Sequence, residues 1–438
     1  MSVDILALNT HSYFSRDTEA FVPVFNYLRL ANVKMIHGQI HNGYYLILKH
    51  QPSVVFLDCI FGGRWHAEMA FFAKKMGCKV VSLMGEGANF ARFVSNPEEM
   101  WGWLAEQVVV WDAYFFWNHS AKQFVINNFP FAEKNIYVTG GTGYDRYRFV
   151  HPERAEDIPS KYQATIGVGC WDFSRCGDSV WSAQNRLLFS EILLQIIRQN
   201  RHVFFKIKLH PGSEGNIHAS GVDTCANEEN ARILPLHTPI IDCIADSDIW
   251  LTFESNTALE AWLMGKQTAL LNPTGTDFPF ARLCTVNGQP NFADAEQWTN
   301  AINSFLETRE LPGFRELENE RQKCYEQLIG HSDGLNHVRA GNIILDVLQQ
   351  SKNLVVDIPD LGWRKKAINA FISCNFGKYI QKLPNFHPWL TALKKFYFDY
   401  VRDYSEKEFQ QNADIRMKQQ IEFYAHNSYS LEFLRSIY

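Results

Sequence analysis

No stretch of this 438-residue sequence approaches the ~18 uninterrupted apolar residues of a membrane-spanning helix. Its nine cysteines include no C-x-x-C pair and are odd in number, which argues against a disulfide framework and a zinc knuckle. Neither sign of charge dominates, with 42 Lys+Arg against 47 Asp+Glu and a formal net charge of −5. A strongly basic nucleic-acid binder is thereby excluded. Charged residues make up 20% and hydrophobic ones 46%, so a disordered or collagen-like chain is excluded as well. The opening residues, MSVDILALNTHS, lack a basic region followed by an apolar one, and the chain reads as soluble in a reducing cytoplasm. Aromatic residues, by contrast, are plentiful at 14%.

Short β-branched runs alternate with amphipathic stretches, the pattern of a parallel sheet covered by helices. Strands are expected at residues 4–9, 53–58, 79–84, 108–111, 113–117 and 135–139, with helices at 67–76 and 121–128. A polar, proline-containing segment at 151–160 marks a domain boundary, after which the alternation restarts. Strands then follow at 165–170, 203–209, 232–236, 249–253 and 268–271, with helices at 183–199 and 258–264 and helical character over 316–350. The length and order suggest two Rossmann-like domains, 1–155 and 156–350, facing a shared cleft, and a helical extension at 351–438. Ligands in such sheets bind outside the C-terminal strand ends.

Two motifs carry chemistry. In Lys206-Ile207-Lys208-Leu209-His210-Pro211, a buried strand delivers an imidazole to its C-terminal end, and both lysines lie on one strand face. Cation plus imidazole suits a diphosphate whose leaving charge must be neutralised, although a His can also cap a strand beside a solvated Lys face. Some forty residues on, an apolar strand runs into Glu254-Ser255-Asn256-Thr257 and opens a helix containing Glu260. Backbone N–H groups there, assisted by the Ser255, Asn256 and Thr257 side chains, form an anion site, and Glu260 can accept from ribose hydroxyls. Simple N-capping is the plain alternative. The two motifs are read as lying on adjacent strands. Asp246-Ser247-Asp248 could be taken for a D-x-D metal site, but it precedes a strand rather than following one, so it reads as a structural turn.

KIKLHPGS, then DIWLTFESNTALEAWLMGK, then Asn-Pro, resembles the donor domain of GT-B glycosyltransferases of bacterial surface and capsular polysaccharides. That group includes the Kdo and sialic acid transferases and, more distantly, CDP-glycerol phosphotransferases. Ser82-Leu83-Met84-Gly85-Glu86-Gly87 is similar to the strand–Glu–Gly turn of the Kdo-type enzymes, and Thr139-Gly140-Gly141-Thr142-Gly143-Tyr144-Asp145 to the end of their first domain. Arg175-Cys176-Gly177-Asp178-Ser179 matches a capsule-transferase loop more loosely. The resemblance implies a nucleotide-sugar donor, CMP-linked in the Kdo and sialic acid transferases, held by Lys208, His210, Glu254, Ser255, Asn256, Thr257 and Glu260, with no cofactor or metal. The acceptor would be a surface glycan or a lipid-linked glycan. A base for the acceptor hydroxyl is also required. Glu86, uncrowded between two glycines, ranks first and Asp178 second, with Asp58 and Asp172 as further candidates. His11 could line the acceptor side. A nucleotide-sugar 2-epimerase, a CDP-alcohol phosphotransferase and a non-catalytic GT-B-like assembly partner remain as alternatives.

The aromatics and the charge concentrate late. Residues 361–398 hold seven basic residues, no Asp or Glu, and nine aromatics. Such composition belongs to helices lying in the inner-membrane interface, or to a helical cap packed on the body with a solvated Lys face.

Overall fold

The computed structural model describes residues 3–9, 16–57, 64–85, 111–128, 130–150, 161–170, 180–210, 222–235, 238–253, 255–274, 284–351 and 406–437, and singly 384, 388 and 391. The chain divides into two compact units, Met1–Phe149 with Ile329–Tyr438, and Val150–Leu328.

The first unit holds a six-stranded parallel sheet. Its strands are β1 (Ile5–Asn9), β2 (Met35–Gln39), β3 (Val54–Leu57), β4 (Lys79–Leu83), β5 (Ala113–Phe116) and β6 (Ile136–Val138), in the order β2-β1-β3-β4-β5-β6. The helices of this stretch are α1 (Arg16–Leu30), α2 (Gly43–His50), α3 (Arg64–Lys75), α4 (His119–Asn128) and the single turn α5 (Arg146–Phe149). Four strands read directly from their apolar runs because every side chain in them is buried or nearly so, as in a sheet covered on both faces. By contrast β2, Met-Ile-His-Gly-Gln, gave no such signal. It is an edge strand paired to β1 alone and only partly buried.

The second unit is a five-stranded parallel sheet. It comprises β7 (Ala164–Gly169), β8 (Val203–Lys208), β9 (Ala231–Ile233), β10 (Ile249–Thr252) and β11 (Gln267–Leu270), ordered β11-β10-β7-β8-β9. Its helices are α6 (Val180–Gln199), α7 (Ile240–Ala245), α8 (Thr257–Leu263), α9 (Ala295–Thr308) and α10 (Glu318–Leu328). The period-two alternation of β10 sorts its residues to two cores. Ile249 and Leu251 join Phe189, Leu193 and Ile196 of α6 and Trp298, Ile302 and Phe305 of α9, whereas Trp250 faces Cys243, Ile244 and Ala261 on the other side. Asp294 caps α9 by accepting from Gln297 N–H at 2.8 Å.

The chain then returns to the first unit in α11 (Asn336–Ser351), α12 (Glu406–His426) and α13 (Leu431–Ser436). The sequence reading carries the second domain to 350, but the compact second unit ends at Leu328. Ala340, Ile343, Ile344, Val347 and Leu348 of α11 share one core with Phe21, Val24 and Phe25 of α1 and with Val54, Phe56, Val81 and Phe115 of the first sheet. An amphipathic pattern announces a helix that covers a sheet without saying which sheet.

Polar contacts fix this return. Asp145, which ends the Thr-Gly-Gly-Thr-Gly-Tyr-Asp motif, accepts from Asn336 Nδ2 at 2.9 Å and from His337 N–H at 2.7 Å, and His337 Nδ1 lies 2.8 Å from its carboxylate. The other ring nitrogen meets the Tyr424 hydroxyl of α12. Burial pushes that hydroxyl's pKa well up, so it keeps its proton. Gly140 stands at φ +91°, and a Cβ there would lie 1.9 Å from Asn336 Oδ1, so the motif's first glycine is required both by backbone and by space.

A second tie is ionic. Glu19 of α1 pairs with Arg146 and with Arg416 of α12, the latter also at 2.6 Å between Nη2 and Oε1. Burial alone would raise the Glu19 pKa, but the two guanidinium groups outweigh it and hold the carboxyl below its ordinary value. A depressed carboxylate pKa contributes stability above the unfolded value, ~4.3, and loses it as pH falls through the folded value. Unfolding free energies measured from pH 7 to pH 3 should therefore decline less in Glu19→Gln than in the parent chain, with the divergence confined to below about pH 4.5.

Candidate functional site

In the second sheet, β7 leads to β8 and β9 on one side, and the chain then crosses to β10 and β11 on the other. The strand order thus reverses between β7 and β10, the switch point at which flanking crossovers diverge and open a crevice at the C-terminal strand ends. Three strands finish abreast there, with Thr252, Gly169 and Lys208 in register. The residues that follow emerge from one edge, His210 after β8 and Ser255, Asn256 and Thr257 after β10. The strand β7 lies between β8 and β10, so the two motifs are not on adjacent strands as the sequence suggests. Two strand spacings, about 10 Å, separate β8 from β10.

The two lysines diverge in role although they share a strand face. Lys206 is buried against Asp246, Nζ to Oδ2 2.7 Å, and its charge is spent within the fold. Lys208, 6% exposed, lies at the strand end with Nζ donating to the Leu209 carbonyl at 3.0 Å. Desolvation lowers its pKa, with nearby Cys243 and Cys170 opposing the shift. An anion brought to this ammonium would restore what burial removes. Asp248 accepts from Thr165 N–H at 2.8 Å, so both carboxylates of Asp246-Ser247-Asp248 serve the fold, as the turn reading expects.

On the β10 side, Ser255 Oγ accepts from Thr257 N–H at 3.2 Å and from the Thr257 hydroxyl at 3.0 Å. Asn256 occupies the N-cap position of α8 with helical φ and ψ and makes no side-chain capping bond. The helix is only seven residues long, so side chains rather than a helix dipole give this end its polarity. Glu260, one turn in, is 5% exposed. Sequence reasoning passed over what lies beneath. Gly167 and Gly169 of β7 leave room for the indole of Trp250, which a Cβ would approach to 2.3 Å and 3.0 Å, and Trp250 Nε1 donates to Thr257 Oγ1 at 3.0 Å. The signal available was Gly-Val-Gly within a strand, since two glycines on one face mark a close approach.

The base candidates are placed less fully. In the first unit, β4 ends at Leu83 and is followed by Met84, whose carbonyl accepts from Trp117 Nε1 at 2.6 Å. Glu86, two residues further, lies outside the described residues, as do Asp178, Glu254, His11, Asp58, Asp172 and the basic-aromatic stretch 361–398 apart from three single positions. No helix among the described residues is long and apolar enough to cross a membrane.

No protein-family profile and no curated protein matches the chain. Solved structures do match. An assigned UDP-N-acetylglucosamine 2-epimerase from Listeria monocytogenes aligns with a TM-score of 0.55 at 13% identity, over 82% of this chain and 99% of that one. The S. aureus MnaA–UDP co-structure gives 0.54 at 13%, over 81% and 100%. The wall teichoic acid polymerase TagF gives 0.51 at 10%, over 80% and 90%. The chain has the GT-B fold. Identities this low establish architecture alone.

Proposed function

We propose that this GT-B protein is a glycosyltransferase that takes a sugar from a nucleotide-sugar donor bound at the switch point of its second sheet. The observation that supports this most is that β8, β7 and β10 end in register beside the point where the strand order reverses, with Lys208 closing β8, His210 following it, and Ser255 and Thr257 following β10. The neighbours agree in kind, since one is a complex with UDP and another a wall-polymer polymerase. In the proposed reaction the Glu86 carboxylate takes the acceptor's hydroxyl proton and the oxygen attacks the anomeric carbon. The bond from that carbon to the nucleotide's phosphate oxygen breaks, and the charge left there meets Lys208, His210 and the Ser255 hydroxyl. Asp178 is the alternative base. A CMP-linked acidic sugar such as Kdo or a sialic acid is the donor suggested by sequence, and a surface or lipid-linked glycan the matching acceptor.

A second reading, 2-epimerisation, is favoured by the epimerase neighbour from Listeria monocytogenes. The Glu254-Ser255-Asn256-Thr257 run departs from the paired glutamates and glycines expected of that activity. Assay of free nucleotide release with and without glycan acceptor separates the two. Transfer predicts release that requires acceptor and stops in Glu86→Gln while donor still binds. Acceptor-independent appearance of an epimeric sugar nucleotide would replace transfer with epimerisation.

A further inference from the structure

We propose that the C-terminal edge of the first sheet carries a pocket for an uncharged sugar ring, built from the carboxamides of Asn9, Gln39 and Asn42. Asn9 and Gln39 are the last residues of β1 and β2 and pair in register, so their side chains leave the same sheet face about 4.8 Å apart. Gln39 then occupies the N-cap of the short helical turn Ile40–Asn42, and Asn42 is its third residue, the spacing at which the two side chains of a capping box meet. Asn42 is itself the N-cap of α2. Neither amide performs the capping that its position invites. Gln39 is 6% exposed and Asn42 8%, and the oxygens Asn9 Oδ1, Gln39 Oε1 and Asn42 Oδ1 are all buried without a bond to any described residue. A buried amide oxygen left unbonded is costly, and three on one edge call for a partner from outside the fold.

The chemistry of the three groups selects the ligand. Each carboxamide is neutral and sets an acceptor oxygen beside an amino group that donates, and a half-turn of the amide exchanges their places. Vicinal hydroxyls of a sugar ring donate and accept in the same pattern, whereas a carboxylate or phosphate brings acceptors only and leaves the amide oxygens unmatched. The pocket is made by side chains rather than by a helix terminus, and its walls are fixed. A Cβ on Gly43, next to Asn42, would lie 2.5 Å from Met69 Sδ of α3 and 2.9 Å from Leu8 Cδ1 of β1, so the start of α2 is pressed against both. His66, buried and one turn ahead of Met69, stands on the same face of α3. None of these residues belongs to the edge proposed for the donor nucleotide. Under the transfer reading, on which that role rests, the sugar is the uncharged end of the acceptor.

The test is saturation-transfer NMR of the full chain with glucose, galactose, N-acetylglucosamine and sialic acid separately, without nucleotide, beside urea unfolding of the same variants. At least one neutral sugar should receive saturation from the parent chain, and sialic acid none. Gln39→Met and Asn42→Leu should each weaken affinity for that sugar about tenfold, the loss of one hydrogen bond where water is scarce. Their urea midpoints should stay level or rise, because an amide that bonds to nothing in the fold takes no stability with it when removed. Asn26→Leu is the control. Asn26 Nδ2 donates to Gln420 at 3.1 Å in the same unit, so this variant should unfold at lower urea and keep parental sugar affinity. Lower midpoints in both Gln39→Met and Asn42→Leu would assign the amides to the fold and overturn the pocket. Unchanged sugar affinity in both, or no saturation of any neutral sugar by the parent, would overturn it equally. Saturation of sialic acid as strong as that of the neutral sugars would overturn the selection for an uncharged ligand. The donor reading is untouched by each of these results, and its own failure would remove the acceptor role while the sugar pocket stood.

Discussion

Asp145→Ala is expected to destabilise the first unit by about 2–5 kcal/mol, the cost of leaving buried donors without their acceptor. The carboxylate is 1% exposed and serves Asn336 Nδ2, His337 N–H and the His337 ring at once. Its loss leaves the backbone and ring nitrogens of His337 without that acceptor, each costing about 1–3 kcal/mol where water cannot enter, whereas Asn336 Nδ2 keeps the His331 carbonyl at 3.0 Å. The disturbance spreads by a definite route. His337 bridges Asp145 to Tyr424, and Gln420 of the same helix donates to the Pro23 carbonyl at 3.0 Å and accepts from Asn26 at 3.1 Å, so α11, α12 and α1 are joined in one polar network. Urea unfolding should show a lower midpoint with an unchanged slope. A change below about 1 kcal/mol would mean that the apolar face of α11 holds the return of the chain by itself.

His210→Ala is expected to lower kcat/KM for transfer by about 10²–10³, the usual consequence of losing one group that meets charge developing on a leaving oxygen. Lys208→Met should cost a comparable factor and change the pH dependence. Burial holds the Lys208 pKa below its ordinary value, so the free protein loses this positive charge at a lower pH than an exposed lysine does. Nucleotide affinity should accordingly fall as pH rises through that lowered value, with proton uptake on binding along the falling limb, and both features should vanish in Lys208→Met. By contrast Lys206→Met should leave affinity unchanged and lower stability, because that ammonium is already matched by Asp246.

Much of the architecture was legible in the sequence because buried parallel strands are written as short, largely apolar runs. Val54–Leu57, Lys79–Leu83, Val203–Lys208 and Ile249–Thr252 could be read directly, and the polar residues that follow two of them marked the proposed donor edge. Strand order was not legible. It depends on crossovers whose direction leaves no local trace, and so β8 and β10 were read as neighbours although β7 divides them. Edge strand β2 carries no such signal, because Met-Ile-His-Gly-Gln offers two apolar residues side by side and no alternation. The destination of α11 was lost because its apolar stripe suits either sheet until Asp145 is seen to hold its first turn. Lys206 and Lys208 looked equivalent on one strand face. Only the carboxylate that folds back from Asp246, forty residues later in the chain, distinguishes the structural lysine from the one proposed for the donor.

The claim that the reversal of strand order in the second sheet makes a nucleotide-sugar site is tested most directly by thermal unfolding with CMP-, CDP-, UDP- and GDP-sugars. One nucleotide class should raise the midpoint of the parent chain in a saturable way, and His210→Ala and Ser255→Ala should each abolish or greatly reduce that rise. No shift with any of the four, or a full shift retained in both variants, would contradict it.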